Sequence, residues 1–310
     1  MKDNLFKIID FSSWKPYEGF SEGSGRSEKQ WLQASDGTIG LFKWPKIDPS
    51  TQQSTYEHVS EHLANQIGKI IGVKTARVDI GIYDGRIGSM SYCINQQTEE
   101  LIEGVSFILG LHPNYDPDKL FDIDTGRYYC VDNIFEISEE EGLRHFWIDM
   151  MLFDFLIGNR DRHQSNWAFI MPVEDRKKSV IRVKPCPLYD NGSSLCCYVT
   201  DKQINQYLGK DKARFLSLVD TKSRSAIRID GNSKKEPTHS DVIRFLVKHF
   251  PYASEAATKV LSRLNEDEIK ALLDCYPSEL MSSERKKLLF HFLYEKKKLL
   301  ERIISEAAYE

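Results

Sequence analysis

An apolar helix that stops at a glycine and passes into a string of polar residues restricts this chain more than any other feature. Leu143, Phe146, Trp147, Met150, Met151 and Phe153 dominate the segment between Ser138-Glu139-Glu140-Glu141 and Ile157. A helix of that kind is buried on most of its surface. Ser138 and the acids after it offer a cap and an acidic first turn, and Gly158 suits a left-handed end. Asn159-Arg160-Asp161-Arg162-His163-Gln164-Ser165-Asn166 follows at once. Trp167-Ala168-Phe169-Ile170 and Ser179-Val180-Ile181-Arg182-Val183 then read as two strands leading to Pro187-Leu188-Tyr189-Asp190-Asn191-Gly192. Paired as a hairpin, they bring Asn166 and Asp190 to one end. Uncompensated charge in a core is costly, so two aspartates and an asparagine placed this way call for a ligand.

The set Asp161, Asn166 and Asp190 is the one that phosphoryl transfer from a nucleotide requires. One carboxylate orients the attacking hydroxyl, while an amide oxygen and a second carboxylate hold magnesium. The chain before it can be tested against that reading. Glu22-Gly23-Ser24-Gly25-Arg26-Ser27-Glu28-Lys29 is a small-residue loop. Its backbone N–H groups suit phosphate oxygens, although most such loops are only turns. Trp31–Ala34 and Thr38–Trp44 read as strands joined by the hairpin turn Ser35-Asp36-Gly37. Lys43, near the end of the second strand, commonly would face solvent; in a nucleotide-binding lobe it would reach the phosphates.

A helix is expected over about residues 53–71, with Val59, Leu63, Ile67 and Ile70–Ile71 on one stripe. Glu57 near its start is either solvated or paired with Lys43. His58-Val59-Ser60-Glu61-His62 on the same helix matches a zinc-peptidase spacing, but nothing downstream supplies an obvious third ligand in helical context. Val73–Ile82 and Arg86–Ile94 read as strands around Tyr83-Asp84-Gly85-Arg86, and Ser91-Tyr92-Cys93-Ile94 as the exit towards an interlobe hinge. Residues 98–140 show little regularity. From Asn191 to about Pro237 the chain is polar, with a mild basic excess where an activation segment would lie. Three apolar stripes, from Val242, Ile269 and Leu288 onward, make the tail helical.

Composition narrows the classes. A chain of 310 residues suits two lobes, and a formal net charge of -4 argues against a general nucleic-acid binder. No apolar run reaches the roughly 18 residues of a membrane span, and no apolar signal region opens the chain. The 6 cysteines show neither a C-x-x-C pair nor zinc spacing. Reduced thiols in a cytoplasmic protein are the expectation, with secretion as an effector left open.

Together, Asn159-Arg160-Asp161-Arg162-His163 with Asn166 and then Pro187-Leu188-Tyr189-Asp190 resemble the catalytic and metal motifs of the HipA-like serine/threonine kinases. That family is the toxin half of bacterial toxin–antitoxin modules, and the likeness is greatest to its short, stand-alone CtkA-like forms. Phe42-Lys43 and Tyr56-Glu57 resemble the family's nucleotide lysine and helix glutamate, and Gly23 to Lys29 its phosphate loop. The resemblance spans roughly residues 20–195. It implies an α+β, bilobal protein-kinase-like fold, with a small antiparallel-sheet N-lobe bearing one helix over residues 1–97 and a mostly helical C-lobe over 98–310. It implies Asp161 as catalytic base, helped by Lys43, Glu57 and His163. Asn166 and Asp190 would bind magnesium. Gly23, Ser24, Gly25, Lys43, Ser91, Tyr92 and Tyr189 would hold ATP. It further implies a protein substrate, a possible separate antitoxin, and autophosphorylation of a loop serine among Ser21, Ser24 and Ser27. Two other readings remain: a phosphoinositide or small-molecule kinase, since Asp161-Arg162-His163 with Asn166 is also similar to that catalytic loop, and a nucleotide-binding module with weak catalysis.

Overall fold

The computed structural model describes residues 6–19, 28–177 and 182–308. Its N-terminal part is one sheet with a helix against it. The elements are β1 (Ile9–Asp10), β2 (Lys15–Pro16), β3 (Lys29–Gln33), β4 (Ile39–Lys43), α1 (Glu57–Ile71), β5 (Val78–Tyr83) and β6 (Arg86–Tyr92). The strand order is β1-β5-β6-β4-β3-β2. Neighbours are antiparallel except β1 and β5, which run parallel. Both expected hairpins form. At the second, Asp84 and Gly85 take φ of 51° and 67°, the backbone that a tight two-residue turn between twisted strands demands. Phe11, Leu32, Phe42, Trp44 and Met90 form a separate apolar cluster on this sheet.

The helix α1 starts later than the sequence suggests. An antiparallel bridge between Ile47 and Ser54, with the Thr55 N–H donating to the Lys46 carbonyl, holds the residues before Glu57 in a loop. Val59, Leu63, Ile67 and Ile71 are all buried, as one face of the helix requires. The histidines of the zinc-like spacing are buried too, and His62 Nδ1 lies 2.8 Å from the Tyr276 hydroxyl.

Residues 98–140 are more regular than expected. They contain β7 (Glu99–Glu103), α2 (Gly104–Leu111), β8 (Tyr115–Asp116), β9 (Phe121–Asp122), β10 (Arg127–Tyr128) and α3 (Val131–Phe135). In β7 every residue is half-buried and three are glutamates, so no apolar alternation betrays the strand. The helix α4 (Glu141–Ile157) follows as expected and ends at Gly158 with φ 67°. Ser138 is not its N-cap; that position belongs to Glu140, which makes no side-chain cap bond. Next, β11 (Ala168–Pro172) pairs with β7 on one side and with β12 (Lys184–Pro185) on the other. The strand expected at Ser179–Val183 falls largely on residues outside those described, and the observed pairing is at Lys184–Pro185.

The polar segment after Asn191 is also a correction. It holds α5 (Asp201–Leu208) and α6 (Lys212–Val219), capped by the side chains of Thr200 and Asp211. They bury Ile204, Phe215 and Val219 and leave Lys202, Lys210, Lys212 and Arg214 exposed. The tail is α7 (His239–His249), α8 (Pro251–Arg263), α9 (Glu266–Asp274) and α10 (Ser283–Ala307). Of these, α7, α8 and α10 pack against α4, whose Trp147, Met150, Phe153, Phe155 and Ile157 are fully buried, and α9 packs on α10. Among the described residues no helix is long and apolar enough to cross a membrane.

Burial of uncharged histidine makes a testable demand. His58 lies beneath Tyr56, and burial pushes it down to about 4, against an opposing effect of Glu57. Between about pH 6.5 and 4 the unfolded chain therefore binds a proton at this residue that the folded protein does not, so stability falls as the pH falls. Replacing His58 with Phe should flatten that dependence by up to about 1.4 kcal/mol per pH unit. Urea denaturation of both proteins at about pH 7 and about pH 5 checks it. Equal slopes would refute the assignment.

Candidate active site

The site begins with the way α4 ends. Gly158 donates its N–H to the Asp154 carbonyl from a left-handed backbone. A Cβ there would come 2.9 Å from the Phe292 ring, so both conformation and space favour glycine. The turn throws Asn159–Asn166 back across the last turn of α4, over Asp154. The Arg162 guanidinium enters this space and is 1% exposed, as Asp154 is 2% exposed. Its Nε and Nη2 each donate to the Asp154 carboxylate at 2.9 Å. Nη1 donates to the carbonyls of Asn166 at 2.6 Å and Tyr189 at 2.8 Å. Nη2 also donates to Asn191 Oδ1 at 2.6 Å. All five N–H donors of the guanidinium thus have acceptors, and one side chain joins α4, the loop after it and the loop after β12.

That junction sets the reactive groups. Asn159 Nδ2 donates to Asp154 Oδ1 at 3.0 Å, and Asn159 Oδ1 accepts the Asp161 N–H at 3.2 Å. Asn166 Nδ2 donates to the Asp161 carbonyl at 2.6 Å, which leaves the amide oxygen for a partner outside the loop. Asp190 adopts φ 56°, a left-handed conformation that aspartate tolerates better than most residues. Its Oδ1 lies 2.7 Å from Lys43 Nζ, with 44% and 20% of the two side chains exposed. Lys43, Asp161, His163, Asn166 and Asp190 line one cavity of about 410 Å³, with Glu57 and Glu61 on its wall.

The electrostatics separate the two aspartates. Lys43 holds the Asp190 carboxyl below its ordinary range, although burial works the other way. Burial raises that of Asp161; Asp190 adds to the rise and His163 opposes it. Asp161 is therefore the better proton acceptor and Asp190 the better permanent anion. Burial alone would lower Lys43, but Asp190 and then Glu61 outweigh it and raise it. The carboxylates of Asp161 and Asp190 and the amide oxygen of Asn166 are hard oxygen donors, the class that magnesium takes.

Glu57 does not make the contact expected of it. Glu57 does not pair with Lys43. It stands 3.1 Å from Lys46 Nζ, accepts the Lys46 N–H, and is bonded by the Thr55 and Tyr198 hydroxyls. Because α1 starts at Glu57, this residue is at the outer end of the helix. Glu61, one turn deeper, is 2% exposed and accepts the Asn191 N–H at 2.8 Å. Gly192 allows the close approach, since a Cβ there would meet Glu61 Oε2 at 3.0 Å. The i,i+4 spacing of two acids on one helix was the available signal for Glu61. For Arg162 it was a basic residue at the closed end of an apolar helix.

A second cavity of about 590 Å³ continues from Lys43 and Asp190 between the sheet and the β7–β11 pair, within the usual range for a small-ligand site. Trp31 and Leu41 line one side, Leu101 and Tyr189 another, and Ser91 to Asn95 run along its edge. Ser91 and Tyr92 thus line this cavity. The N–H groups of Tyr92 and Cys93, however, donate to the carbonyls of Arg77 and Ile39, so neither is available to a bound base. Tyr189 donates to the Ser165 carbonyl at 2.9 Å, and His163 Nδ1 accepts the Ser165 N–H at 3.2 Å. Gly23, Ser24 and Gly25 lie outside the described residues.

No family model matches the chain. The serine/threonine-protein kinase CtkA of Helicobacter pylori is 23% identical over 299 residues, 93% of this chain and 85% of that protein. The crystal structure of a H. pylori proinflammatory kinase CtkA matches with a TM-score of 0.79 at 20% identity, covering 98% of this chain and 99% of that one. HipA of Shewanella oneidensis MR-1, in a toxin–antitoxin complex with HipB and operator DNA, matches with a TM-score of 0.57 at 13% identity, covering 95% of this chain and 67% of that one. The fold is the bilobal α+β fold of these kinases.

Replacing Arg162 with Met keeps much of the volume but leaves Asp154 buried without its cation. The expected loss is about 3–5 kcal/mol of stability, read as a lower urea midpoint. A loss below about 1 kcal/mol, the scale of an exposed pair, would show that the junction is not needed to hold the loops.

Proposed function

We propose that this protein is a HipA-like kinase of the CtkA type, and that it transfers the γ-phosphoryl group of ATP to a serine or threonine hydroxyl of a protein. The observation that supports the reading best is the meeting of Lys43, Asp161, Asn166 and Asp190 in one cavity, although they come from separate segments of the chain. Asp161 orients the incoming hydroxyl and accepts its proton late in the transfer. Its raised affinity for a proton suits that task. Lys43 holds the phosphates as a point charge, with Glu61 rather than Glu57 as its supporting acid. Asn166 and Asp190 would hold magnesium. When bound, that ion supplies positive charge against the charge that develops on the phosphoryl oxygens. His163 braces the loop through Ser165. The cavity edged by Ser91 to Asn95 would take the adenosine, and the boundary between the lobes would fall near residue 97.

The same reading extends to regulation and setting. Autophosphorylation of Ser21, Ser24 or Ser27 would place about -1.5 to -2 of charge where the nucleotide must put its own phosphates, and would silence the enzyme. HipA of S. oneidensis is solved with HipB; a separate inhibitor protein is proposed here by analogy with that complex. The six free cysteines fit a reducing, cytoplasmic setting.

Asp161→Asn should lower phosphate transfer to a protein acceptor about a hundredfold to ten-thousandfold with the urea midpoint little changed. Asp190→Ala should instead weaken magnesium-dependent ATP binding. Full turnover by both variants with labelled ATP would overturn the reading, and transfer to lipid vesicles in preference to protein would redirect it. Mass spectrometry of the loop serines tests self-modification: phosphate on the wild type but not on Asp161→Asn is expected, and equal occupancy on both rejects it.

A further inference from the structure

A second polar chain reaches the catalytic loop from the far side of the C-terminal part, and the reaction as described makes no use of it. Lys296, in the middle of α10, is fully buried, with its ammonium over the faces of Phe155 and Phe292. Nζ donates to Ser223 Oγ at 2.9 Å. Ser223 Oγ lies 2.9 Å from His239 Nδ1, and His239 Nε2 lies 2.8 Å from the carbonyl oxygen of Asn159. Ser223, His239 and Asn159 are 4%, 2% and 1% exposed.

The direction of every bond follows from the far end. A carbonyl only accepts, so His239 must carry its proton on Nε2. Burial pushes the imidazole down to about 3, helped by Lys296, so it is neutral and Nδ1 is an acceptor. Ser223 must then donate to Nδ1, and its oxygen is free to accept from Lys296. Burial pulls Lys296 down to about 7, but its amine donates to Ser223 in either charge state, and the chain ends there. With the imidazole neutral, no other arrangement of these protons satisfies all three contacts.

What the chain holds is Asn159. That residue accepts the Asp161 N–H through its side chain and donates to Asp154. The relay grips its backbone carbonyl, two residues before the proposed base. A lysine in a core is costly to desolvate, and packing alone would be served by an apolar side chain. We propose that Lys296, Ser223 and His239 are positioning residues: they fix the Asn159 carbonyl and so hold Asp161 at the angle that transfer needs. This rests on Asp161 being the base.

Two replacements of His239 separate positioning from packing. In His239→Gln the amide nitrogen reaches the place of Nε2 and keeps the bond to Asn159. In His239→Asn it stops near the place of Nδ1 and loses it. Phosphate transfer to a generic protein acceptor, with magnesium-ATP varied, should show His239→Asn with kcat down roughly ten- to a hundredfold and KM for ATP nearly unchanged. His239→Gln should recover most of the loss. Ser223→Ala, a small change that frees the imidazole to shift its proton, should lower kcat in the same sense and serves if His239→Asn does not fold. Equal losses in the Gln and Asn variants, or wild-type kcat in both His239→Asn and Ser223→Ala, overturn the relay. If the wild type is active, Asp161→Asn is not, and the relay variants behave as wild type, the relay alone is wrong. A wild type that phosphorylates nothing, itself included, overturns the functional reading and the relay with it.

Discussion

The buried contact between Arg162 and Asp154 is the constraint on which the rest of the site depends. Desolvating a guanidinium and a carboxylate is expensive, and Coulomb attraction alone often fails to offset it. Here the remaining N–H groups are also satisfied, by two backbone carbonyls and an amide oxygen. The choice of those acceptors links the pair to function. The Asn166 carbonyl belongs to the loop that carries Asp161, and the Tyr189 carbonyl immediately precedes Asp190. A planar fork with fixed donor directions therefore sets the spacing of two loops, which the Tyr189 hydroxyl also joins through the Ser165 carbonyl. Lysine, a point charge with three donors, has no equivalent geometry.

A second set of contacts ties this assembly to the N-terminal sheet. Lys43 meets Asp190, and Glu61 accepts the Asn191 N–H. Leu188 exchanges backbone hydrogen bonds with Lys74 and Ala76. The segment from Leu188 to Asn191 is thus held from below by Arg162 and from above by α1 and the turn that follows it. Glu61 is costly to bury, and burial raises its affinity for a proton even against the pull of Lys43. Its position gives that cost a use, because the carboxylate accepts the Asn191 N–H and adds to the field that keeps Lys43 charged.

Much of this was legible in the residues. The end of α4 at Gly158, the polar loop after it, and the return to Asp190 all follow from patterns with a direct physical meaning: an apolar helix, a left-handed cap, and charges that need a partner. The two hairpins and the helical tail were legible for the same reason. Three features were not. β7 is a strand rich in glutamate at the edge of a cleft, so its side chains give no alternation. α5 and α6 bury few residues, and their exposed lysines dominate the reading of that segment. Glu57 was read as a possible partner of Lys43 from its place near the expected start of α1, but the helix begins at Glu57 itself, and Glu61, one turn deeper, is the buried acid.

The sequence by itself determined which chemistry was on offer: two carboxylates, an amide and a lysine, on segments whose apolar pattern had to bury their flanks. Only the tertiary structure decided which acid faces Lys43, which cation holds the loops, and that Lys296, Ser223 and His239 reach the Asn159 carbonyl. The division has a physical cause. Hydrophobic patterning acts within one element and leaves a mark at a fixed period, whereas a buried hydrogen bond between residues 80 positions apart, as between His239 and Asn159, depends on distance and angle, and those exist only once the helices have packed.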